Sequence, residues 1–215
     1  MQAYYRIRDF CVAHNVTLVA VTKGRPIQDV WRLYHAGQRI FGENRVQHLH
    51  QRISEFTPEA QWHLIGHLQS NKVRQLPSQL KLIHSVDRPK LFPLLDEWAR
   101  KRGDPLEVLI QIHIAQETTK YGFSYVAAEQ LLCSPELKQY TFCKVVGLMG
   151  MATFTDDVAQ IRSEFRGLRR FFDKLRGQLP HLQILSMGMS NDYQIAVEEG
   201  STMVRIGSAL FADQA

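Results

Sequence analysis

A chain of 215 residues with 45% hydrophobic content can bury one substantial core, and it holds neither a low-complexity tract nor a charge block of the kind that stays disordered. No apolar run approaches the roughly 18 residues a membrane span needs, and the opening "MQAYYRIRDF" mixes Arg and Asp among its apolar residues instead of building a signal-peptide core, which predicts a soluble, cytoplasmic protein. The net charge of +5 suits a small anionic ligand, whereas the basic residues are scattered through amphipathic segments such as "EWARKRG" and "FRGLRRFFDKLRG", which argues against a nucleic-acid partner.

In chain order, an opening helix places Ala3, Ile7, Phe10, Cys11 and His14 on one face. Short apolar runs at 18–22, 39–42, 62–66, 82–86, 107–113, 144–149, 183–187 and 203–206 then read as strands. Between them, 27–36, 45–56, 71–76, 89–102, 125–132, 157–178 and 192–199 carry helical patterns. Runs such as "VLIQIHI" and "KVVGLMG" are apolar on both parities or nearly so, as parallel strands buried on both faces are. A strand-helix alternation repeated eight times in a chain of this length favours a single (β/α)8 barrel with an extra N-terminal helix. The alternative, an open doubly wound sheet, lacks a dinucleotide-type glycine fingerprint after the first strand. The cysteines, Cys11, Cys133 and Cys143, are odd in number and widely spaced, so they read as reduced, buried thiols.

Barrels of this kind work at the C-terminal ends of their strands. There the sequence offers Lys23, "GEN" with Asn44, "GHLQSN", "MGMAT", "SMGMSND" and "RIGSALF". Loops after strands seven and eight frequently form phosphate sites. "SMGMSND" puts Gly188 in a tight turn and offers Ser190, Asn191 and Asp192 as helix caps, and "RIGSALF" offers the backbone N–H groups of Gly207 and Ser208 plus a hydroxyl. The plainer account of both loops is ordinary helix capping.

Lys23, closing the first apolar run, either snorkels to solvent or presents a nucleophilic amine. Strand one neighbours strand eight in a closed barrel, so an amine next to a phosphate cradle matches the needs of pyridoxal 5'-phosphate, with desolvation at the mouth expected to lower the lysine pKa. Arg205 lies where it can face the pyridine nitrogen; a guanidinium has no acceptor capacity and would weaken the ring as an electron sink. The alternative for Arg205 is a rim ion pair with Glu198 or Glu199.

The ordered motifs "LVAVTKGRP", "GQRIFGENRVQ", "WHLIGHLQSNK", "HSVDRPKL", "LIQIHIAQETTKYGF", "VVGLMGMAT" and "LSMGMSNDYQIAVEEGSTMVRIGSALF" span essentially the whole chain. Together they resemble the pyridoxal 5'-phosphate homeostasis proteins, which share the barrel of the alanine-racemase-like fold type III enzymes. The resemblance implies one cofactor-binding barrel domain over 1–215 in which Lys23 carries the cofactor as an aldimine. It further implies that Ser190, Gly207 and Ser208 hold the phosphate, that Arg205 faces the ring nitrogen, and that Asn44, Met149 and Ser186 line the ring. His113 stands where the family has Asn, and "TKGR" replaces the commoner "SKTK".

The related racemases complete a two-base site with a Tyr from a second domain across a dimer, and this sequence stops shortly after strand eight. The resemblance therefore implies a monomeric, non-catalytic protein that holds and delivers the cofactor in vitamin B6 and amino-acid homeostasis, with PLP-dependent apoenzymes as recipients. A small fold type III racemase or decarboxylase would instead use Tyr121, Tyr125 or His67 as its second group. A metal-dependent hydrolase would draw on His48, His50, His63, His67 and His84, but "HLIGH" carries no catalytic Glu. An adaptor for nucleic acid or protein, with a decayed site, is the remaining alternative.

Overall fold

Parallel strands that are apolar on both faces need cover on both, and a sheet closed on itself inside a ring of helices supplies it. In the computed structural model, which describes residues 1–214, the strands are β1 (Thr17–Val21), β2 (Ile40–Glu43), β3 (Gln61–Leu64), β4 (Leu80–Val86), β5 (Leu106–Ile112), β6 (Cys143–Gly150), β7 (Ile184–Ser186) and β8 (Met203–Ile206). They pair in chain order as a closed parallel barrel, so the open sheet is ruled out. β1 closes on β8 with Val19 opposite Arg205 and Ala20 opposite Ile206.

Around the barrel run α1 (Gln2–Ala13), α2 (Ile27–His35), α3 (Val46–Glu55), α4 (Leu91–Arg102), α5 (Tyr125–Leu132), α6 (Val158–Arg176) and α7 (Tyr193–Glu198). The segment expected to be helical at 71–76 is a 3-10 turn, Ser70–Gln75, because Pro77 leaves it no room to continue. Two further 3-10 turns, Pro135–Gln139 and Ser208–Gln214, were not anticipated. α1 buries Ala3, Tyr4, Ile7 and Cys11, whereas His14, expected on that face, caps the C-terminal end of the helix and is exposed. Cys133 is likewise exposed, whereas Cys11 and Cys143 are buried, and all three are free.

α6 shows how sequence becomes packing. Asp157 caps it by accepting the N–H groups of Ala159 and Gln160 at 2.9 and 3.1 Å. Ile161, Phe165, Leu168, Phe172 and Leu175, at helical spacing, form its buried stripe. Loss of either buried ring, Phe165 or Phe172, costs about 3–5 kcal/mol by the usual measure. The opposite face commits its positive charge locally: Arg162 and Arg166 pair with Glu199, Arg162 also with Glu198, and Arg169 with Asp173. The basic run in "FRGLRRFFDKLRG" is thus largely balanced by carboxylates.

The barrel interior is layered. Val19, Leu82, Leu109, Met149 and Met203 form an apolar cluster separate from the larger core under the helices. Two residues further along the same strand faces come Val21, His84, Gln111, Met151 and Arg205, so the next layer towards the C-terminal strand ends is largely polar.

His84 has no exposed surface and His63 only 4%. Burial drives His63 down to about 3, and burial together with His63 and Arg205 holds His84 well below the usual histidine range. In the unfolded chain both titrate near the ordinary histidine value of 6.5, so below that pH the unfolded state takes up protons that the folded state refuses. Stability is therefore lost as pH falls below 6.5, by about 1.4 kcal/mol per histidine per pH unit. Urea unfolding is expected to lose roughly 2 kcal/mol between about pH 7 and pH 5 from His63, with a further loss from His84. Replacing both histidines with Leu should remove most of that slope. A flat profile would mean that the interior histidines are not held neutral.

Candidate functional site

The ends of β1, β6, β7 and β8 open onto a cavity of about 810 Å³, lined in part by Lys23, Asn44, Ser190, Arg205, Gly207 and Ser208. These six expected residues come from four separate stretches of sequence, and the closed barrel brings them around one cavity. Lys23 is exposed there, and among the described residues its amine has no hydrogen-bond or ion-pair partner. The desolvation expected of it is not found.

The turn that carries Lys23 is held from below. Thr22 donates its hydroxyl proton to Glu43 Oε1 at 2.6 Å, and Arg52 Nε donates to the same oxygen at 3.3 Å. Arg52 Nη2 also reaches the carbonyls of Thr22 at 3.4 Å and Arg25 at 2.5 Å, so one buried guanidinium grips the chain on both sides of the lysine. Glu43 has no exposed surface, its Oε2 lacks a hydrogen-bond partner among the described residues, and His48 Nδ1 stands 3.7 Å from that oxygen. Sequence reasoning took Asn44 from "GEN" and passed over Glu43 and Arg52. The available signal was Arg52 on the apolar stripe of α3, in step with Val46 and Leu49.

On the opposite wall Ser190 Oγ accepts the N–H groups of Gly207 and Ala209, both at 3.3 Å. Ser208 beside them is exposed, and its hydroxyl and N–H have no hydrogen-bond partner among the described residues, which leaves both open to a ligand. The turn before Ser190 needs Gly188: its φ is +97°, and a Cβ would come within 2.6 Å of Ala196 Cβ. Asp192 begins α7 without capping it; its Oδ1 accepts Met189 N–H at 2.5 Å instead, and burial pushes its carboxyl pKa up.

Arg205 is 4% exposed and donates Nη1 to Ser186 Oγ at 2.6 Å and Nη2 to the Gly150 carbonyl at 3.0 Å. Burial lowers its pKa to about 10, partly offset by Asp192, so it stays cationic at neutral pH. The rim pairing considered for it does not occur, since Glu198 and Glu199 are taken by Arg162 and Arg166.

Met149 and Ser186 do not line the cavity. Neither has exposed surface: Met149 packs in the lower apolar layer, and Ser186 lies beneath Arg205. Met151, one inward position further along, takes the wall position instead, with Arg25, Lys120 and Thr153. His113 also stays off the wall; its Nε2 lies 2.9 Å from the Glu117 carbonyl oxygen.

The groups considered for a second catalytic role are elsewhere. Tyr125 packs edge-on against Phe171, and Tyr121 stacks on His67 at 3.8 Å over a neighbouring recess. His67 itself pairs with Asp87 at 2.6 Å. Among the described residues no group of three or more His, Cys, Asp or Glu side chains could hold a metal ion.

Two features test the fit of pyridoxal 5'-phosphate to these residues. The buried Oδ1 of Asn44, on the wall, has no partner among the described residues and would accept a ligand's donor. The unused N–H and hydroxyl of Ser208 would meet phosphate oxygens. With the free Lys23 amine and the fixed guanidinium of Arg205, the donor set fits an anionic, aldehyde-bearing ring.

Such a barrel, with a lysine following the first strand and open polar groups after the last two, defines the class of alanine racemase N-terminal barrels, and the family described as "Alanine racemase, N-terminal domain" matches residues 2–215. Within that class the chain is 38% identical over 201 residues to the pyridoxal phosphate homeostasis protein of Pasteurella multocida, covering 91% of this chain and 85% of the relative. It is 34% identical over 201 residues to that of Escherichia coli, with 92% and 85% covered. The chain belongs to the pyridoxal phosphate homeostasis protein family. PipY of Synechococcus elongatus, solved with PLP bound, superposes with a TM-score of 0.86 at 35% identity over 97% of this chain and 99% of its own. Alanine racemase of Clostridium difficile, at 12% identity and a TM-score of 0.72 over 94% of this chain and 55% of its own, shares the fold.

Arg52→Leu would leave Glu43 buried against Thr22 without its cation. It should lower the unfolding free energy in urea by about 3 kcal/mol or more, and Arg52→Lys should recover part of the loss. A loss below about 1 kcal/mol would mean the grip contributes little.

Proposed function

We propose that residues 1–215 form one barrel domain that binds pyridoxal 5'-phosphate covalently through Lys23 and holds it for vitamin B6 and amino-acid homeostasis, without efficient turnover. The observation that carries this reading is the convergence on one cavity of a free amine, an unfilled N–H and hydroxyl cradle, and a buried guanidinium. The names of the relatives and the PLP-bound PipY structure support it.

The roles follow from chemistry. Ser190, Gly207 and Ser208 take the phosphate, Asn44 accepts from the ring, and Arg205 faces the ring nitrogen. When bound, the cofactor supplies an aldehyde for exchange with amines and a ring that can withdraw electrons. A guanidinium only donates, so Arg205 disfavours a proton on the nitrogen it faces and keeps that withdrawal weak. Stereoinversion also needs acid and base groups on both faces of the substrate. Tyr121, Tyr125 and His67 lie off the cavity wall. Lys120 is on it, but its ammonium donates to Glu117 Oε1 at 2.7 Å and the Ala152 carbonyl at 2.6 Å.

Among the described residues no helix is long and apolar enough to cross a membrane. Residence in the cytoplasm, a monomeric state and PLP-dependent apoenzymes as recipients complete the reading.

The test is an absorption spectrum of PLP-treated protein before and after borohydride, followed by peptide mass mapping. A band that bleaches, with the phosphopyridoxyl mass on the Lys23 peptide, is the expected result. Lys23→Ala should abolish the adduct and leave the fold intact; an adduct trapped on another residue would overturn the assignment. Ser208→Asp should weaken binding at least tenfold by setting an anion against the phosphate. Unchanged affinity would move the cradle elsewhere.

A further inference from the structure

Beneath the cavity floor the barrel interior carries a line of polar groups that the function above leaves unused. Arg205 Nη1 lies 2.6 Å from Ser186 Oγ, which stands 3.1 Å from His84 Nδ1, and His84 Nε2 is 3.1 Å from His63 Nδ1. Ser186 and His84 have no exposed surface. His63 lines a recess at the opposite end of the barrel, among Thr17, Gln61 and Leu80. Barrel interiors are ordinarily filled with branched apolar side chains. A buried polar column persists only when its donors and acceptors match.

Donor counting gives the column a direction. A guanidinium can only donate, so Arg205 occupies a lone pair of Ser186 Oγ. Among the described residues the hydroxyl has one other side-chain partner, His84, so its proton points to Nδ1 of that ring. A neutral imidazole carries a single N–H. With Nδ1 accepting, the proton of His84 sits on Nε2 and is donated to Nδ1 of His63, whose own proton is left on Nε2. The permanent donor at the cavity floor thus sets the tautomer of two histidines below it.

We propose that His63, His84 and Ser186 act as positioning residues for Arg205, forming a one-way hydrogen-bond column that holds its guanidinium at a fixed angle in the cavity floor. Ser186 and the Gly150 carbonyl take its two Nη groups from below, so the remaining edge is presented to the ligand in one orientation. The bearing on the ring nitrogen rests on the pyridoxal phosphate reading; the column itself does not.

Long-range proton–nitrogen NMR of the imidazoles tests the column on ligand-free wild-type protein. Both His63 and His84 are expected as neutral Nε2–H tautomers across pH 6–8. A His84 proton on Nδ1, or ordinary titration of either ring, would overturn the proposal. In Ser186→Ala the His84 tautomer should become mixed, and Ser186→Thr, which keeps the hydroxyl, should restore it. A second arm uses added pyridoxal 5'-phosphate. Ser186→Ala should shift the absorption of the bound cofactor and its pH titration and raise the dissociation constant about tenfold, with recovery in Ser186→Thr. An unaltered spectrum and affinity would refute positioning of Arg205. Wild-type protein that takes up no cofactor would refute the ring half of the proposal and the functional reading together, while the tautomers independently decide the column.

Discussion

The pairing of β1 with β8 is the constraint on which the site depends. Lys23 lies near one end of the sequence and Arg205, Gly207 and Ser208 near the other, and only the closing seam sets Val19 opposite Arg205 and Ala20 opposite Ile206. Continuing the register carries Val21 past Gly207, where an added Cβ would sit 3.3 Å from Val21 Cβ. Glycine at that point keeps the seam tight beside the cavity. The seam is also the longest-range strand pairing in the chain, so its closure carries a large loop entropy that the buried strands must offset.

Rigidity is then distributed by depth. One interior layer, Val19, Leu82, Leu109, Met149 and Met203, is an apolar cluster that holds the strands together. The layer above is polar and hydrogen-bonded, and it fixes the orientation of Arg205. At the rim, Thr22, Glu43 and Arg52 hold the turn that carries Lys23 while leaving the side chain itself free in solvent. A reactive amine must move to meet its partner, whereas the groups that orient that partner must not. The three layers meet these opposing requirements in a short vertical distance.

The fold does not decide the chemistry. The alanine racemase of Clostridium difficile shares the barrel at 12% identity, yet that likeness speaks only of architecture. What distinguishes this chain is the set of groups around its cavity. One free amine faces a fixed cation, and the second lysine on the wall is already bound to Glu117 and Ala152. The proposed role of holding a ligand rests on that set of groups.

The strand-helix alternation was legible because its causes are local. Apolar runs of strand length recur between amphipathic segments, and every one of them lies in the barrel within a few residues of the expected bounds. Lys23, Asn44, Ser190, Arg205, Gly207 and Ser208 were also legible, since residues that end strands or follow them must reach the C-terminal face. Depth was not. Met149, Met151, Ser186 and Arg205 all point inward by parity, but which of them meets the cavity depends on strand tilt and stagger around the closed barrel, a property of the whole sheet. The grip of Arg52 on the lysine turn and the alignment of His63, His84 and Ser186 depend on the same global geometry. The sequence by itself determined which residues are strand, helix and strand end, because backbone preference and hydrophobic period are properties of neighbours along the chain. Only the tertiary structure decided which side chains form the floor, the wall and the supports, because those distances run between residues that meet only when the barrel closes.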